Sequence, residues 1–500
     1  MTTHRTLRAI DPRTAKALEP AHPLHDAAAV DAAAEAAWAV YRTGALRDRT
    51  RREALLRAAA HRLEERGDAL VDVAGRETGL PEARLRGELA RTTGQLRMFA
   101  NLVADEAWRE PRVDRGDPNR TPAPKPDVRS HRTELGPVVV FGASNFPLAF
   151  GTPGGDTASA LAAGCPVIVK AHPGHPGTAA LVGACLAGAV AEAGLPAGAF
   201  AQLFDDGFEV GLALVRHPRV RAVAFTGSRA GGLALARAAA ERAVPVPVYA
   251  EMGSVNPVVV LPGAAERRAA ELAAGLHASF TLGVGQFCTN PGLTFVPEGP
   301  AGDAFREALA ERVAATPAGV MLNRRVCDAF GAGVEALEAA GARAVARGRG
   351  DDDDGAGFRA TAVAYEVDLA AVRARPSLLD EVFGPAAVLV RYRSVAELED
   401  LVWALEGQLT ATVQAEPEEA ERHPGLLRAL EDRVGRLLFG GWPTGVEVGP
   451  AMVHGGPFPA SSDGRSTSVG THAIERFTRL VAFQDAPEAV LPAHLRDAAG

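Results

Sequence analysis

Cysteine is scarce in this chain. Its 500 residues hold four, Cys165, Cys185, Cys288 and Cys327, and none forms a CxxC pair or a zinc-ligand spacing. A disulfide framework and a structural metal are therefore both disfavoured. Positive charge is not in excess either: the formal net charge of −8 argues against general binding to nucleic acid or anionic membrane and leaves room only for a local basic pocket. No run of about 18 uncharged apolar residues occurs. The opening MTTHRTLRAIDPRTAKALEP has no apolar core of the kind a secretion signal needs. These absences lead us to expect a soluble, cytoplasmic protein. Aromatic residues make up only 5%, so small residues must do much of the packing.

What is present is a composition 47% hydrophobic and rich in Ala and Gly. It is enough for large cores and at least two domains. Residues from about 25 to 110 read as helical: in RREALLRAAAHRLEERG, Leu56, Ala59, Ala60 and Leu63 fall at i, i+3, i+4 and i+7. Gly67 and then Gly79-Leu80-Pro81 break the run. A Pro-, Arg- and Asp-rich stretch follows, EPRVDRGDPNRTPAPKPDVRSHRTELGP; it reads as a linker or as an edge hairpin reaching toward another subunit. From Gly136 the runs PVVVFGAS, CPVIVKA, RAVAFTGS, VPVYAEMG and PVVVLPG alternate with Ala-rich helical stretches. Continuous apolar strands between helices imply parallel βαβ units, whose carboxyl ends bind ligands. A second series, LTFVPE, AAVLVRY, LTATVQA and GRLLFGG, implies a second α/β domain. The run GRGDDDDGAG reads as a solvated loop without calcium-ligand spacing.

Several strand ends carry residues suited to chemistry. In FTGSRAGG, Gly227 and Gly232 flank a turn into a helix, where backbone N–H groups can meet a phosphate; a plain strand–turn–helix is an equal reading. Lys170, closing CPVIVK, could contact a ribose or phosphate, or simply snorkel from a strand end. His172 and His175 follow it without zinc-pair spacing. Asn145, just past a strand, could cap a helix or donate to an oxyanion. Glu251 follows the apolar VPVYA, an odd place for a carboxylate that serves only solubility, and Glu381 stands in LLDEVFGP. Cys288, in TLGVGQFCTNPG, is either a small buried hydrophobe or a nucleophile.

Taken in order, Asn-Phe-Pro, the strand-end Lys, FTGS, Glu-x-Gly, GQxC and ExFGP resemble the aldehyde dehydrogenase superfamily over nearly the whole chain. The resemblance implies an α/β fold: a Rossmann-type cofactor domain over 1–112 and 134–252, an α/β catalytic domain over 253–445, and a β oligomerisation arm from 113–133 and 470–490. It implies Cys288 as nucleophile, Glu251 as base on the hydrolytic water, and Asn145 with the Cys288 N–H as oxyanion donors. Lys170, His172, Gly227, Ser228, Gly232, Glu381 and Phe383 would bind the cofactor, and Phe146, Phe287 and Phe458 would line the aldehyde tunnel. No metal is called for. HGGPFPASSDGRSTSVGTHAIERFTR resembles the branch of 2,5-dioxopentanoate (α-ketoglutaric semialdehyde) dehydrogenases and fatty-aldehyde relatives. There His454 would sit near the thiol and tune it, or else be a loop histidine bonded to backbone.

Pro173 stands where NAD-preferring relatives carry a ribose-binding Glu. The implied cofactor is therefore NADP, with NAD accepted, although Asp205 and Asp206 near Phe208 would oppose a 2′-phosphate. A dioxopentanoate needs a carboxylate partner, for which Arg91 and Arg465 are candidates, as they are for plain surface roles. The competing readings are a medium- or long-chain aliphatic aldehyde dehydrogenase, CoA-dependent acyl transfer, and a non-catalytic structural relative. Retention of Glu251 favours hydrolysis over CoA. The implied assembly is a homodimer or homotetramer.

Overall fold

A computed structural model describes residues 5–350 and 357–497; the acidic run Asp351–Asp354 lies outside them. The first large sheet has five strands, in the order Val248–Glu251, Ala222–Thr226, Val138–Phe141, Val167–Lys170, Phe200–Leu203, all paired in parallel. Alternate side chains go to opposite faces. Val138, Val140, Val167 and Val169 pack with Leu55, Leu56 and Leu63 on one face. Val139, Ile168 and Val223 pack with Val30, Ala34 and Leu214 on the other. Burial on both faces explains the unbroken apolar runs. Leu56, Ala59, Ala60 and Leu63 of the helix Arg49–Glu65 are fully buried.

The chain leaves Val138–Phe141 toward one edge, through Val167–Lys170 and Phe200–Leu203, and then crosses to Ala222–Thr226 on the other side. The strand order therefore reverses beside Val138–Phe141. A crevice opens there at the carboxyl ends, where ligands bind in such sheets. The loop carrying Asn145 and the turn carrying Gly227 flank it.

A seven-stranded sheet follows, in the order Arg343–Arg347, Val363–Asp368, Ala386–Tyr392, Leu293–Pro297, Val258–Val260, Gln408–Gln414, Val434–Phe439. Only Arg343–Arg347 runs antiparallel to its neighbour. Val258–Val260, whose apolar run resembles the first series, pairs with Leu293–Pro297 and Gln408–Gln414 in this second sheet. The structure also contains strands Phe200–Leu203, Arg343–Arg347 and Val363–Asp368. Their sequences lack a continuous apolar run because Gln, Arg or Glu interrupts them. A third sheet joins Arg112–Asp114 and Thr478–Gln484 to the two sides of Val128–Glu134, all antiparallel.

Candidate active site

Cys288 sits on a loop reached through an unusual turn. After the helix Pro262–Thr281, three successive residues take left-handed backbone: Gly283 (φ 55°), Val284 (φ 59°) and Gly285 (φ 66°). Glycine adopts this readily; a β-branched valine does not. A Cβ on Gly285 would lie 2.1 Å from the Gly384 carbonyl oxygen, so the nucleophile's loop touches the Glu381–Gly384 loop backbone to backbone. Asn256, fully buried, donates its amide to the carbonyls of Cys288 (2.8 Å) and Asn290 (2.9 Å) and pins the loop from beneath.

Glu251 ends the strand Val248–Glu251 and is buried. Its Oε1 is 3.0 Å from His454 Nε2, and the same Nε2 is 3.4 Å from Cys288 Sγ. The Ser468 hydroxyl donates to Glu251 Oε2 at 2.5 Å. Burial alone would push the Glu251 carboxyl up, but His454, Ser468 and the thiol hold it below the usual range. Burial pushes the Cys288 thiol well above its ordinary range, and the Glu251 charge adds to this; Arg91 pulls the other way. The imidazole therefore stands at hydrogen-bond distance from a thiol that its surroundings hold protonated. Cys288, His454 and Glu251 also place one ligand atom each within 4.8 Å of one another, so they could hold a thiophilic cation.

Asn145 is buried, and its amide donates to the Gln286 carbonyl at 3.1 Å, two residues before Cys288. Its loop is held by Glu88, whose Oε1 accepts from the N–H groups of Leu148 (2.8 Å) and Ala149 (2.9 Å). The rings of Phe146 and Phe287 meet edge to face, centroids 5.4 Å apart. Phe458 does not join them. It is 57% exposed and lies under Arg229, at the start of the helix Arg229–Ala240. Arg465 points into solvent, paired with Asp463 at 3.0 Å. Arg91 instead turns inward over Phe150, 5.6 Å from the ring centroid.

On the crevice side, Lys170 is buried and donates to the Asp205 carbonyl at 3.1 Å; burial lowers its pKa, and Asp205 and Asp206 partly offset that. His172 Nδ1 accepts from the Gly174 N–H at 3.0 Å, leaving Nε2 as the proton-bearing nitrogen of the neutral ring. Burial, His175, Lys170 and Arg325 all disfavour its protonation. Ser228 caps the helix Arg229–Ala240 by accepting from Gly231 N–H. Gly227 lies under the Phe225 ring, and a Cβ on Gly232 would meet Met252 Sδ at 2.7 Å. Gly232 lies inside the first turn of that helix, not in the preceding turn, and packs the helix against the sheet. Glu381 accepts from the Ser254 N–H at 3.3 Å and lies over Gly253; although it reaches the open crevice, the walls stripping its water push its carboxyl up to about 7. Phe383 lines the same cavity with Ser254, Val255 and Asn290.

Sequence reasoning did not find Ser468, Asn256, Glu88 or Arg84. Ser468 stands in the stretch HGGPFPASSDGRSTSVG quoted above and Asn256 in SVNP, five residues past Glu251; neither shows its direction in the sequence. Arg84, Glu88 and Arg91 fall at i, i+4 and i+7 along the helix Glu82–Asp105, a pattern indistinguishable from a solvated helix face.

A doubly wound parallel sheet faces a thiol–imidazole–carboxylate cluster across a crevice, an α/β architecture. The chain belongs to the aldehyde dehydrogenase family, whose pattern it matches over residues 1–482. It is 49% identical over 494 residues to alpha-ketoglutaric semialdehyde dehydrogenase 2 of Azospirillum brasilense, covering 98% of this chain and 94% of that protein. It is 43% identical over 470 residues to the alpha-ketoglutaric semialdehyde dehydrogenase of Acinetobacter baylyi, covering 94% and 88%. A mutant aldehyde dehydrogenase C from Pseudomonas syringae, solved with NAD+ and octanal, shares the fold with a TM-score of 0.80 at 23% identity, over 97% of this chain and 95% of that one.

Proposed function

We propose that this protein oxidises 2,5-dioxopentanoate, the α-ketoglutaric semialdehyde, to 2-oxoglutarate with a nicotinamide dinucleotide as hydride acceptor. The observation that carries this reading is the Cys288–His454–Glu251 arrangement, with Sγ 3.4 Å and the Glu251 carboxylate 3.0 Å from one imidazole nitrogen. It stands in a chain 49% identical to a dehydrogenase of that name. His454 Nε2 takes the thiol proton, and Glu251 stabilises the resulting imidazolium. The thiolate adds to the aldehyde carbon, and the oxyanion is met by the Asn145 amide, which turns from the Gln286 carbonyl, and by the Cys288 N–H. The bound nicotinamide supplies the hydride acceptor. The thioester left on Cys288 is attacked by water whose proton Glu251 takes; the C–S bond then breaks and the thiolate is restored. With a buried base already held by Ser468, water rather than CoA is the natural acceptor.

The groups on the crevice side fit a dinucleotide: a buried ammonium at a strand end, a capped helix start and the Glu381 carboxylate beside Ser254. The reading of NADP, with NAD accepted, is supported by the corner around Pro173. The two acids that would repel a 2′-phosphate are both engaged. Asp205 accepts from the N–H groups of Gly207 and Val210, and Asp206 pairs with Arg5 at 2.8 Å. Lys170, the His172 Nε2–H and Arg325, which stands over Phe208, remain as donors. In this reading residues 1–112 and 134–252 bind the cofactor, 253–445 carry the nucleophile, and 113–133 with 470–490 join subunits of a homo-oligomer. The edge strand Thr478–Gln484 with its exposed Leu480 suits that last role. Free thiols at all four cysteines fit a cytoplasmic setting, and no described helix is long and apolar enough to cross a membrane.

The test is nicotinamide reduction at a common pH, comparing 2,5-dioxopentanoate with straight-chain aldehydes, each with NADP and NAD. The expected result is a kcat/KM for the dioxo acid higher by about 10²-fold or more, with NADP preferred. A kcat/KM that rises with alkyl chain length instead would overturn the substrate assignment.

A further inference from the structure

The helix Glu82–Asp105 turns one polar stripe toward the reaction chamber: Arg84, Glu88 and Arg91, spaced so that they share a face. The Arg84 guanidinium lies 4.9 Å from the Phe146 ring centroid and 4.5 Å from that of Phe287, the residue before the nucleophile. One of its nitrogens, Nη2, donates to the Asn145 carbonyl at 2.6 Å, while Nη1 is buried without a partner. Arg91 stands 5.6 Å from the Phe150 centroid, and that ring is 6.1 Å from the His454 ring. Its Nε is buried without a partner, and among the described residues it makes no ion pair. Glu88 between them has Oε1 committed to two backbone N–H groups and Oε2 buried without a partner, and Glu447 is exposed with its charge felt at Arg91. Beyond Glu88, the charges of Glu251 and Glu447 also reach Arg91, so what stands open on this face is the hydrogen-bonding capacity of Arg84 Nη1 and Arg91 Nε. Buried donors without acceptors are costly unless something completes them. Arg436, whose charge also reaches the thiol, spends both terminal nitrogens on the carbonyls of Gly445 and Pro443, so that only its Nε is buried without a partner.

We infer that Arg84 and Arg91 form the anchor for the substrate's carboxylate, so that the protein selects short aldehydes ending in a 2-oxo acid or plain carboxylate. This rests on the substrate reading given above. In an extended five-carbon chain the aldehyde and carboxylate carbons are about 5 Å apart. Each arginine is separated from a reacting group by one aromatic ring, Phe287 for Arg84 and Phe150 for Arg91. Charge-assisted, fork-shaped donation to a carboxylate is what guanidinium geometry supplies best. The Phe146 and Phe287 faces orient the Arg84 fork while keeping water from it.

The experiment compares 2,5-dioxopentanoate with pentanal, its uncharged counterpart in length, in the wild-type enzyme and in Arg84→Met, Arg91→Met and Arg91→Lys. The quantity read is the ratio of kcat/KM for the two aldehydes. Any loss of thiolate support or loop position is common to both substrates and cancels in the ratio. We expect the ratio to fall about 10²-fold in each Met variant and to be partly restored in Arg91→Lys. The Kd of 2-oxoglutarate, followed as protection of Cys288 from iodoacetamide, should rise in parallel. A high wild-type ratio that stays unchanged in both Met variants overturns the anchor and leaves the substrate reading intact. A wild-type ratio near one overturns both.

Discussion

The two sides of the reaction chamber differ in what their groups meet. On the sulfur side the groups meet one another: the thiol meets His454, His454 meets Glu251, and Glu251 meets Ser468, with His454 Nδ1 left buried without a hydrogen-bond partner. On the arginine side, Arg84 and Arg91 keep buried nitrogens that no protein acceptor meets. The first side is preorganised for a bond-making step whatever aldehyde arrives. The second is finished only by a ligand. In the proposed reading chemistry and selectivity are held by separate groups, and each can be disturbed with the other as control.

The largest break comes from Cys288→Ala. Oxidation should fall by about 10⁴-fold or more, while the Kd for 2,5-dioxopentanoate, measured by calorimetry, changes only about threefold because the arginines remain. A large loss of binding in this variant would mean that the two sides are not separable. Next is Glu251→Gln. Steady-state turnover should drop by about 10²–10³-fold with a burst of reduced nicotinamide, since deacylation loses its base. Because the Glu251 charge raises the thiol, the same variant should shift the iodoacetamide pH profile of Cys288 downward. An upward shift would contradict the electrostatics described. Ser468→Ala is milder: one hydrogen bond to a charged group is lost, for about a tenfold fall in kcat with the dioxo-acid to pentanal ratio unmoved. The smallest effect sharpens the contrast most. The thiol, held above its ordinary range, is mostly protonated at neutral pH, so kcat/KM for both aldehydes should rise as pH increases. The arginines keep their protons throughout, and the ratio between the aldehydes should stay flat from pH 6 to 9.

Legibility in the sequence follows the same division. Asn145, Lys170, Glu251 and Cys288 stand at strand ends or in glycine turns, where polar residues interrupt apolar runs, and one-dimensional pattern exposes them. Arg84 and Glu88 sit on a helix, where charged residues normally face water, and only the packing of that helix against the Phe146–Phe150 loop reveals their direction. Arg91 was visible as a candidate but indistinguishable from Arg465, which the fold turns outward. Phe458 illustrates the same limit: an aromatic residue in the right segment is carried to the start of a neighbouring helix. Strands failed to announce themselves where a polar residue breaks the run, as in Phe200–Leu203. Which sheet Val258–Val260 joins depends on contacts with strands far along the chain, which local periodicity does not carry.

The contact between Gly285 and Gly384 has a mechanical meaning. No side chain cushions it: a single methyl group would strike the Gly384 oxygen at 2.1 Å, and that same oxygen accepts from the Asn290 amide at 3.2 Å. Asn290 is in turn strapped to Cys288 through Asn256. The sulfur loop and the Glu381 loop therefore behave as meshed teeth with little play between them. A ligand that shifts Glu381 on one side of the crevice must also move the nucleophile on the other.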